Sequence, residues 1–484
     1  MSTSGAPTLD RPLAREEKAE QVGRLFVPGR PGPGSARLEV ARQVWALAWP
    51  AITHMFLLTL VFLVNRAMVG RHSTTALAAT QICTTLTWSI ISMCSATSAG
   101  TLAVVARSIG ARDRAGAVAA VRASLVFAAA LGVLVAGPLL WTKGAMLRLL
   151  FPQADAEVIA QADDYLQIVL PVLPLAFLEA VAASALQGAG DTRTPLLAAS
   201  AGNVVNVILS ALLIFGWFGL PEMGLRGAAV GTAATMAIEG LLLIAVLSAR
   251  GSPLPLFRRE GVEHRQRAFR DALNRVLRVS LPAFAERATY QAGYTGFVVM
   301  IGLLGAAAMA ANQALVSIES VCFLSAEGFG IAAGALVAQK LGEGNPREAA
   351  SAGRTSAGLA IVLLSAFGLV FALVPRALIQ PFTQDEGIVA LGASSLYIAA
   401  VAQPFMAFAM VIGTALRAAG ATRAVFVVTL VSSLVVRLVV TWLLAIKLGY
   451  GLVGVWVGST ADWMVRSAML GAIWARGRWR EISV

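Results

Sequence analysis

Long apolar runs recur along this chain and limit what it can fold into. After residue 42 they follow one another almost to the end, each about as long as the ~20 residues that cross a bilayer as a helix. In hydrocarbon such a run must be helical, because a helix satisfies its own backbone hydrogen bonds. Hydrophobic residues make up 57% of the 484 and charged residues only 13%, which excludes a soluble globular protein. The chain is predicted to be an all-α integral membrane protein.

The sequence also repeats itself. A gapless shift of 232 residues aligns a stretch of the first half with a stretch of the second. The aligned identities are Pro50 with Pro282, Gln81 with Gln313, Val105 with Val337, Gly110 with Gly342 and Arg122 with Arg354. A register kept over about seventy residues indicates a duplicated unit.

Each half is predicted to hold six membrane spans. The first six are expected at 43–69, 77–106, 115–141, 158–186, 193–216 and 224–249, and the second six at 273–302, 307–338, 350–374, 388–417, 420–447 and 451–475. An even number of spans starts both halves on the same side of the membrane. The repeats are then parallel, with a pseudo-twofold axis along the membrane normal and a cleft between two lobes.

Five segments are predicted from composition. Residues 1–42 are rich in Arg, Pro and Gly and contain no apolar core of a signal peptide, so they are expected to be a disordered tail. The N-lobe is expected at 43–249, a basic linker at 250–272, the C-lobe at 273–475 and a second tail at 476–484. The linker is expected to lie near anionic lipid headgroups.

The net charge of +12 arises from basic residues placed between the apolar runs, not on one continuous face. This pattern is typical of positive-inside topology and gives no indication of nucleic-acid binding. Both termini are expected to be cytoplasmic, in a cell inner (plasma) membrane. Cys83, Cys94 and Cys322 lie inside apolar runs without CxxC or metal-ligand spacing, so we expect no disulfide, no metal site and no cofactor.

Six motifs appear in order along the chain: MVGRHSTTALAATQ, LQGAGDTRTPL, GLRGAAVGTAAT, ANQALVSIES, GFGIAAGALVAQKLGEGNP and ALRAAGATR. Together they resemble the multidrug and toxic compound extrusion (MATE) family of the larger flippase superfamily, over nearly everything after residue 42. The resemblance implies twelve transmembrane helices in two six-helix lobes around a V-shaped central cleft. It also implies export of organic cations by antiport against Na⁺ or H⁺. We expect a monomer whose partners are small amphiphilic or cationic substrates and the lipid bilayer.

The chain departs from the family at three acidic positions. Members carry an Asp in the first span where this chain has Asn65, and a second in the fifth span where it has Ser210. A tenth-span Asp found in some members falls at Met406. The usual N-lobe cation site therefore lacks its carboxylates.

Ionisable residues inside apolar spans are costly and are functional candidates by default. Glu286 and His54 are equivalent under the 232-residue shift, so both are expected to approach the cleft. Glu286 would attract a cationic substrate or exchange a proton; alternatively it pairs with Arg287 or another basic group, and His54 merely hydrogen-bonds within its lobe. Glu179 and Glu239 are secondary candidates without an identifiable partner.

Two polar faces are predicted on single helices. Asn312 and Glu319 are seven residues apart and share a helix face, which gives them either a coupling or substrate role or a structural hydrogen bond to neighbouring helices. In the fifth span the polar residues follow the family's spacing but lack its acid. They form either a neutral hydrogen-bonding surface or contacts between helices. These residues are Ser200, Asn203, Asn206 and Ser210.

The last span holds Asp462 and Arg466 at i and i+4, close enough to pair on one helix. A structural ion pair is one interpretation; with Arg437 from the eleventh span the three would form a charge network able to rearrange. Tyr290 follows Glu286 by one turn, where it either contacts an organic cation through its ring or packs.

These observations favour a secondary transporter that exports amphiphilic or cationic molecules by alternating access. Proton coupling through C-lobe carboxylates, Glu286 first and Glu319 second, is preferred over Na⁺ because the N-lobe acids are absent. A flippase for a lipid-linked precursor and a non-transporting sensor or scaffold remain the alternatives. We expect no enzyme, since the sequence has no HExxH, no GxSxG, no phosphate-binding loop and no histidine cluster.

Overall fold

The computed structural model describes residues 33–94, 96–152, 154–249, 252, 254–256 and 262–482. These residues fold into long helices, and no strand occurs among them. In this described part ten helices are long and apolar enough to cross a membrane. Two more long helices, Val262–Leu303 and Gly451–Arg476, occupy the seventh and twelfth places in the predicted order.

The first half contains α1 to α6. They span Pro33–His72 (α1), Thr74–Cys94 and Ala96–Gly110 (α2), Arg114–Leu150 (α3), Ala156–Val169 and Leu173–Gly188 (α4), Arg193–Phe215 (α5) and Leu225–Ser248 (α6). A 3₁₀ turn, Leu170–Val172, joins the two parts of α4.

The second half contains α7 to α12. They span Val262–Leu303 (α7), Ala306–Gly342 (α8), Pro346–Leu373 (α9), Glu386–Ala418 (α10), Thr422–Lys447 (α11) and Gly451–Arg476 (α12). A short helix, Pro375–Ile379, precedes α10. Within α11 the segments Leu430–Val436 and Trp442–Lys447 are π-helical.

Helix α1 begins ten residues before the expected first span, and α7 begins at Val262 within the segment expected to be a linker. The residues added at these ends, such as Leu38 to Arg42, include good helix formers, so a helix continues beyond the apolar run that marks the span. Residues 1–32, which belong to the expected N-terminal tail, and most of 250–261 lie outside the described residues.

The duplication extends to the helix caps. Asp113 accepts a hydrogen bond from the backbone N of Gly116 at the start of α3 (2.8 Å), and Asn345 accepts one from Glu348 at the start of α9 (3.2 Å). The two cap residues are 232 apart, the same shift that aligns the halves. Side-chain caps of this kind satisfy orphan N–H groups at the helix start, so both halves begin their third helix in the same way.

Helices α1–α6 pack with one another as one lobe and α7–α12 as the other, which confirms the predicted two-lobe layout. Between lobes, α1 packs on α8 and α7 packs on α2, two pairs that the repeat makes equivalent. Ile52 of α1 lies against Gly328, and Val276 of α7 lies against Gly100. Val44 and Ala48 of α1 are even part of the C-lobe core.

Helices α2 and α8 cross at their C-terminal ends. A Cβ on Gly110 would overlap the carbonyl oxygen of Gln339, and a Cβ on Gly342 would overlap that of Arg107. Gln339 Nε2 donates to the backbone O of Gly188 in the other lobe at 2.8 Å. We call this end of the molecule, where α2 turns into α3 and α8 into α9, the closed end.

The side chain equivalent to Gln339 also spans the lobes. Arg107 Nη1 donates to the backbone O of Ile482, beyond the end of α12, at 2.6 Å. The closed end is therefore held by two bonds from equivalent positions of the repeat, 107 and 339, each reaching into the opposite lobe.

Candidate functional site

A buried ion-pair network lies between α11 and α12 of the C-lobe. Asp462 is fully buried, and its carboxylate lies 2.7 Å from Arg437 Nη2 and 3.0 Å from Arg466 Nη2. Arg466 also approaches the second oxygen at 3.1 Å. The structure thus brings together the three residues that the sequence suggested as a network, with one carboxylate between two guanidinium groups.

The π-helical turn of α11 supplies further partners for this network. Arg466 donates from Nε to Ser432 Oγ at 3.1 Å and from Nη2 to Ser433 Oγ at 2.5 Å. Two consecutive residues contact the same guanidinium because the turn that carries them is widened, a feature often found at functional sites.

Aromatic rings cover both guanidinium groups. Arg466 lies 4.7 Å from the Trp463 ring centroid and 5.5 Å from that of Tyr290, and Arg437 lies 5.7 Å from Tyr290. Such contacts stabilise a desolvated cation. The Tyr290 ring is therefore occupied by the protein's own arginines, which differs from the contact with a substrate cation considered from the sequence.

Glu319 of α8 is the second carboxylate beside Arg437. It interacts electrostatically with Arg437, and its Oε1 accepts a long hydrogen bond of 3.5 Å from Gln403 Nε2 of α10. With both acids ionised, Asp462 and Glu319 balance Arg437 and Arg466. Protonation of Glu319 would leave the group with one excess positive charge.

Asn312 lies two turns before Glu319 on α8 and is 7% exposed. Its Oδ1 is buried without a hydrogen-bond partner in the structure. Buried amide oxygens rarely lack a partner, so this face of α8 has unused hydrogen-bonding capacity.

Glu286 forms an ion pair inside the C-lobe. Its Oε1 accepts from Arg417 Nη1 at 2.8 Å and from Thr429 Oγ1 at 3.3 Å, and its side chain is 13% exposed. Arg417 Nη2 also donates to Thr414 Oγ1 at 2.7 Å. Of the two interpretations from the sequence, the structure shows pairing with a basic group, and that group is Arg417.

The neighbour of Glu286 points to the other lobe. Arg287 Nε donates to Ser92 Oγ of α2 at 2.8 Å, a hydrogen bond between the lobes. His54, the repeat equivalent of Glu286, is 5% exposed, and its Nδ1 has no hydrogen-bond partner in the part of the chain that the structure describes. The two equivalent positions therefore have different surroundings.

The N-lobe positions without acids form a neutral polar cluster. Asn65 Nδ2 donates to Asn206 Oδ1 at 2.9 Å, joining α1 to α5. Ser210 and Asn203 are buried on the same helix, and within the described ranges Ser210 Oγ and Asn203 Nδ2 lack hydrogen-bond partners. Asn65 and Asn206 therefore lie together as expected for one polar cluster, and their hydrogen bond joins two neutral amides.

Two residues of the C-lobe site were not identified from the sequence. Arg417 lies in the motif ALRAAGATR, where it was counted as a topology signal at the end of a span. Gln403 is fully buried in an apolar run just before Pro404. Treating every polar residue inside a span as a candidate, amides included, would have found both.

Among the described residues no group of three His, Cys, Asp or Glu side chains could hold a metal ion. The arrangement is one of carboxylates, guanidinium groups and aromatic rings. Chemically it can bind protons, hold or release cations, and change its net charge by one at Glu319.

Comparison with known proteins gives consistent matches along the chain. The family model MatE matches residues 50–212 and 282–443. A probable multidrug resistance protein NorM of Thermotoga maritima is 28% identical over 449 residues, 92% of this chain and 94% of the relative. Another of that name, from Pseudomonas putida, is 30% identical over 426 residues, covering 85% and 89%.

Solved structures show the same fold. A MOP superfamily transporter from Pyrococcus furiosus, described as having a binding pocket of reversed polarity, has a TM-score of 0.82 at 22% identity, covering 94% of this chain and all of that one. An outward-facing multidrug resistance transporter has the same score and identity, covering 93% of this chain and 99% of its own.

Proposed function

The chain belongs to the MatE family, and from that premise we propose that it exports small amphiphilic or cationic molecules across the plasma membrane in exchange for protons. Relatives that it matches over most of their length are named as multidrug resistance proteins. The basic residues beside the spans support cytoplasmic termini. The closed end would then be the cytoplasmic end, and exchange would proceed by opening each end in turn.

The proposal depends on the surroundings of Glu319. Its ionised form balances the charge of the Arg437–Asp462–Arg466 network, whereas its protonated form leaves that network positive. A proton and a substrate cation would thus compete for one carboxylate, which is the requirement for exchange. Linkage makes the competition reciprocal: each ligand lowers the affinity for the other.

Glu286 is a weaker candidate for the proton carrier than the sequence suggested. Its carboxylate is already held by Arg417 and Thr429, so protonation would have to break an existing ion pair. We therefore place Glu319 first and Glu286 second as the proton carrier. Arg417 and Glu286 would serve to fix α7 against α10 and α11.

We expect Glu319→Gln to reduce pH-driven export by about tenfold or more, because a glutamine side chain cannot exchange a proton for the substrate cation. Efflux of a fluorescent organic cation from liposomes that contain the protein, with imposed pH or Na⁺ gradients, is the measurement. Glu286→Gln should keep a larger share of export than Glu319→Gln. Glu348→Gln, an exposed change at the start of α9, is the matched control.

Export that follows a Na⁺ gradient and ignores pH would contradict proton coupling. Equal export by wild-type protein and the Glu319→Gln variant would remove Glu319 from the coupling role. No transport of any cation would favour the second candidate, a flippase for an anionic lipid-linked precursor. The partly buried arginines Arg287 and Arg417 support that candidate, and flipping of a fluorescent anionic lipid in the same liposomes tests it.

A further inference from the structure

The N-lobe contains two acidic residues on neighbouring helices, Glu179 of α4 and Glu239 of α6. Helices α4 and α6 approach closely at Gly240, where a Cβ would lie 2.8 Å from the carbonyl oxygen of Leu175. Glu239 immediately precedes Gly240, and Glu179 follows Leu175 by one helical turn. Both acids therefore lie within one helical turn of this contact, and their carboxyl groups interact electrostatically.

Glu239 is unusually enclosed for an acid. The residue is 6% exposed, and its Oε1 is buried without a hydrogen-bond partner from any residue that the structure describes. The side chain lies on Gly202 of α5, where a Cβ would be 2.6 Å from Glu239 Cγ and 2.7 Å from Oε1. The absence of a side chain at Gly202 thus creates the space that the carboxyl group occupies.

A second buried polar group, Asn203, follows Gly202 on α5. Asn203 is 5% exposed, and its Nδ2 has no hydrogen-bond partner among the described residues. Buried polar groups are nearly always paired, so the enclosed carboxyl oxygen of Glu239 is the atom here that a bound proton would satisfy.

The described residues provide the two acids with no basic partner. No ion pair found among them includes Glu179 or Glu239. The histidine and charged residues on the helices packed around them are Arg37, Glu39, Arg42, His54, Arg66, Arg71 and His72 of α1, Arg107 of α2, Arg114, Arg122, Lys143 and Arg148 of α3, Glu157, Asp163 and Asp164 of α4, Arg193 of α5, Arg226 of α6, and Glu319, Glu327 and Lys340 of α8. Of the basic ones, Arg107 donates to Ile482 O, Arg122 to Leu256 O, Lys143 to Asp163 and Arg226 to Asp164.

We propose that Glu179 and Glu239 form a second proton-binding site, in the N-lobe, that holds one proton between the two carboxyl groups. Two ionised carboxylates in a low-dielectric interior repel each other and lose their hydration, and one shared proton removes one of the two charges. The proton leaves to water when the lobe hydrates. The inference builds on proton exchange as the proposed function and assigns it a site in each lobe.

This site would replace the one that the family's acids form elsewhere. The positions of those acids, Asn65 and Ser210, are on α1 and α5 and are neutral here. The Glu179 and Glu239 carboxyl groups come from α4 and α6, and α5 lies against α6 between the two arrangements. The N-lobe thus has two acids on α4 and α6, whereas the positions of the family's acids are neutral.

Infrared spectroscopy of the full chain in lipid tests the site without requiring transport. A glutamate in water has a pKa of about 4.3 and is ionised at pH ~7. The spectrum of wild-type protein minus that of Glu179→Gln/Glu239→Gln should therefore contain the C=O band of a protonated carboxyl that shifts in D₂O. Glu222→Gln, an exposed change in the loop just before α6, should remove only carboxylate bands.

A difference spectrum with carboxylate bands alone would overturn the proposal. If the double variant fails to fold, Glu239→Gln alone must still change the C=O region, and no change there is equally decisive against the site. In liposomes the double variant should move fewer protons per exported cation than wild type while Glu319 is intact. Wild-type transport that ignores pH would contradict the proposed function, whereas the infrared band would still decide whether the pair holds a proton.

Discussion

Replacing Asp462 with Asn is expected to destabilise the C-lobe by roughly 3–5 kcal/mol, the cost of leaving buried charges without a partner. Arg437 and Arg466 are both nearly buried, and this carboxylate binds both of them. Asparagine keeps the shape of the side chain and removes only its charge. The loss should appear as a lower midpoint of thermal unfolding of the purified protein in detergent.

The second part of this experiment separates charge from packing. In the double variant Asp462→Asn/Arg437→Met one of the two guanidinium groups that lost the Asp462 carboxylate is gone, so part of the lost stability should return. Glu386→Gln removes an exposed ion pair with Arg376 and should change stability by less than ~1 kcal/mol. If Asp462→Asn unfolds at the same midpoint as Glu386→Gln, the network does not stabilise the lobe.

Substitution of alanine for Gly110 or Gly342 is expected to open the closed end and to abolish most export. Each new methyl group would overlap a backbone carbonyl oxygen of the other lobe, which cannot move aside as a side chain can. The lobes must separate to relieve the overlap. Spin labels at Arg114→Cys and Arg347→Cys, both on the exposed surface beside the crossing, would report the separation as a longer distance.

Two other glycines are matched controls for this change. Gly137 of α3 and Gly358 of α9 are also in helices, and a Cβ on either would have no atom within 4 Å. Alanine there should leave the label distance and export unchanged, and favours the helix by up to ~1 kcal/mol. A Gly110→Ala variant with the wild-type label distance would show that the crossing tolerates a side chain.

The architecture could be predicted from the sequence because its signals are local or periodic. Apolar runs fix the helices, since hydrocarbon leaves them no alternative, and the 232-residue shift fixes two like lobes. The polar ends of α1 and α7 could not be placed in this way. Helix propensity extends a helix into water without any apolar signal, as at Leu38 to Arg42.

Contacts in the site could be predicted from the sequence only where both residues lie on the same helix. Asp462 and Arg466 are on one face of α12, and four-residue spacing is sufficient to pair them. The partner of Glu286 is Arg417, 131 residues away on another helix, and no periodicity gives the rotation of one helix against another. For the same reason, the sequence could not predict that α4 and α6 approach each other at Gly240, near Glu179 and Glu239.

The crossing of α2 and α8 also has a meaning in terms of symmetry. Gly110 contacts Gln339 of the other repeat. Gly342, the repeat equivalent of Gly110, contacts Arg107, which is the repeat equivalent of Gln339. A contact in which i meets j and j meets i is isologous, the kind formed by identical subunits about a twofold axis. A single six-helix unit paired with its own copy would make this contact from one glycine, so joining two such units into one chain requires no new interface at this end.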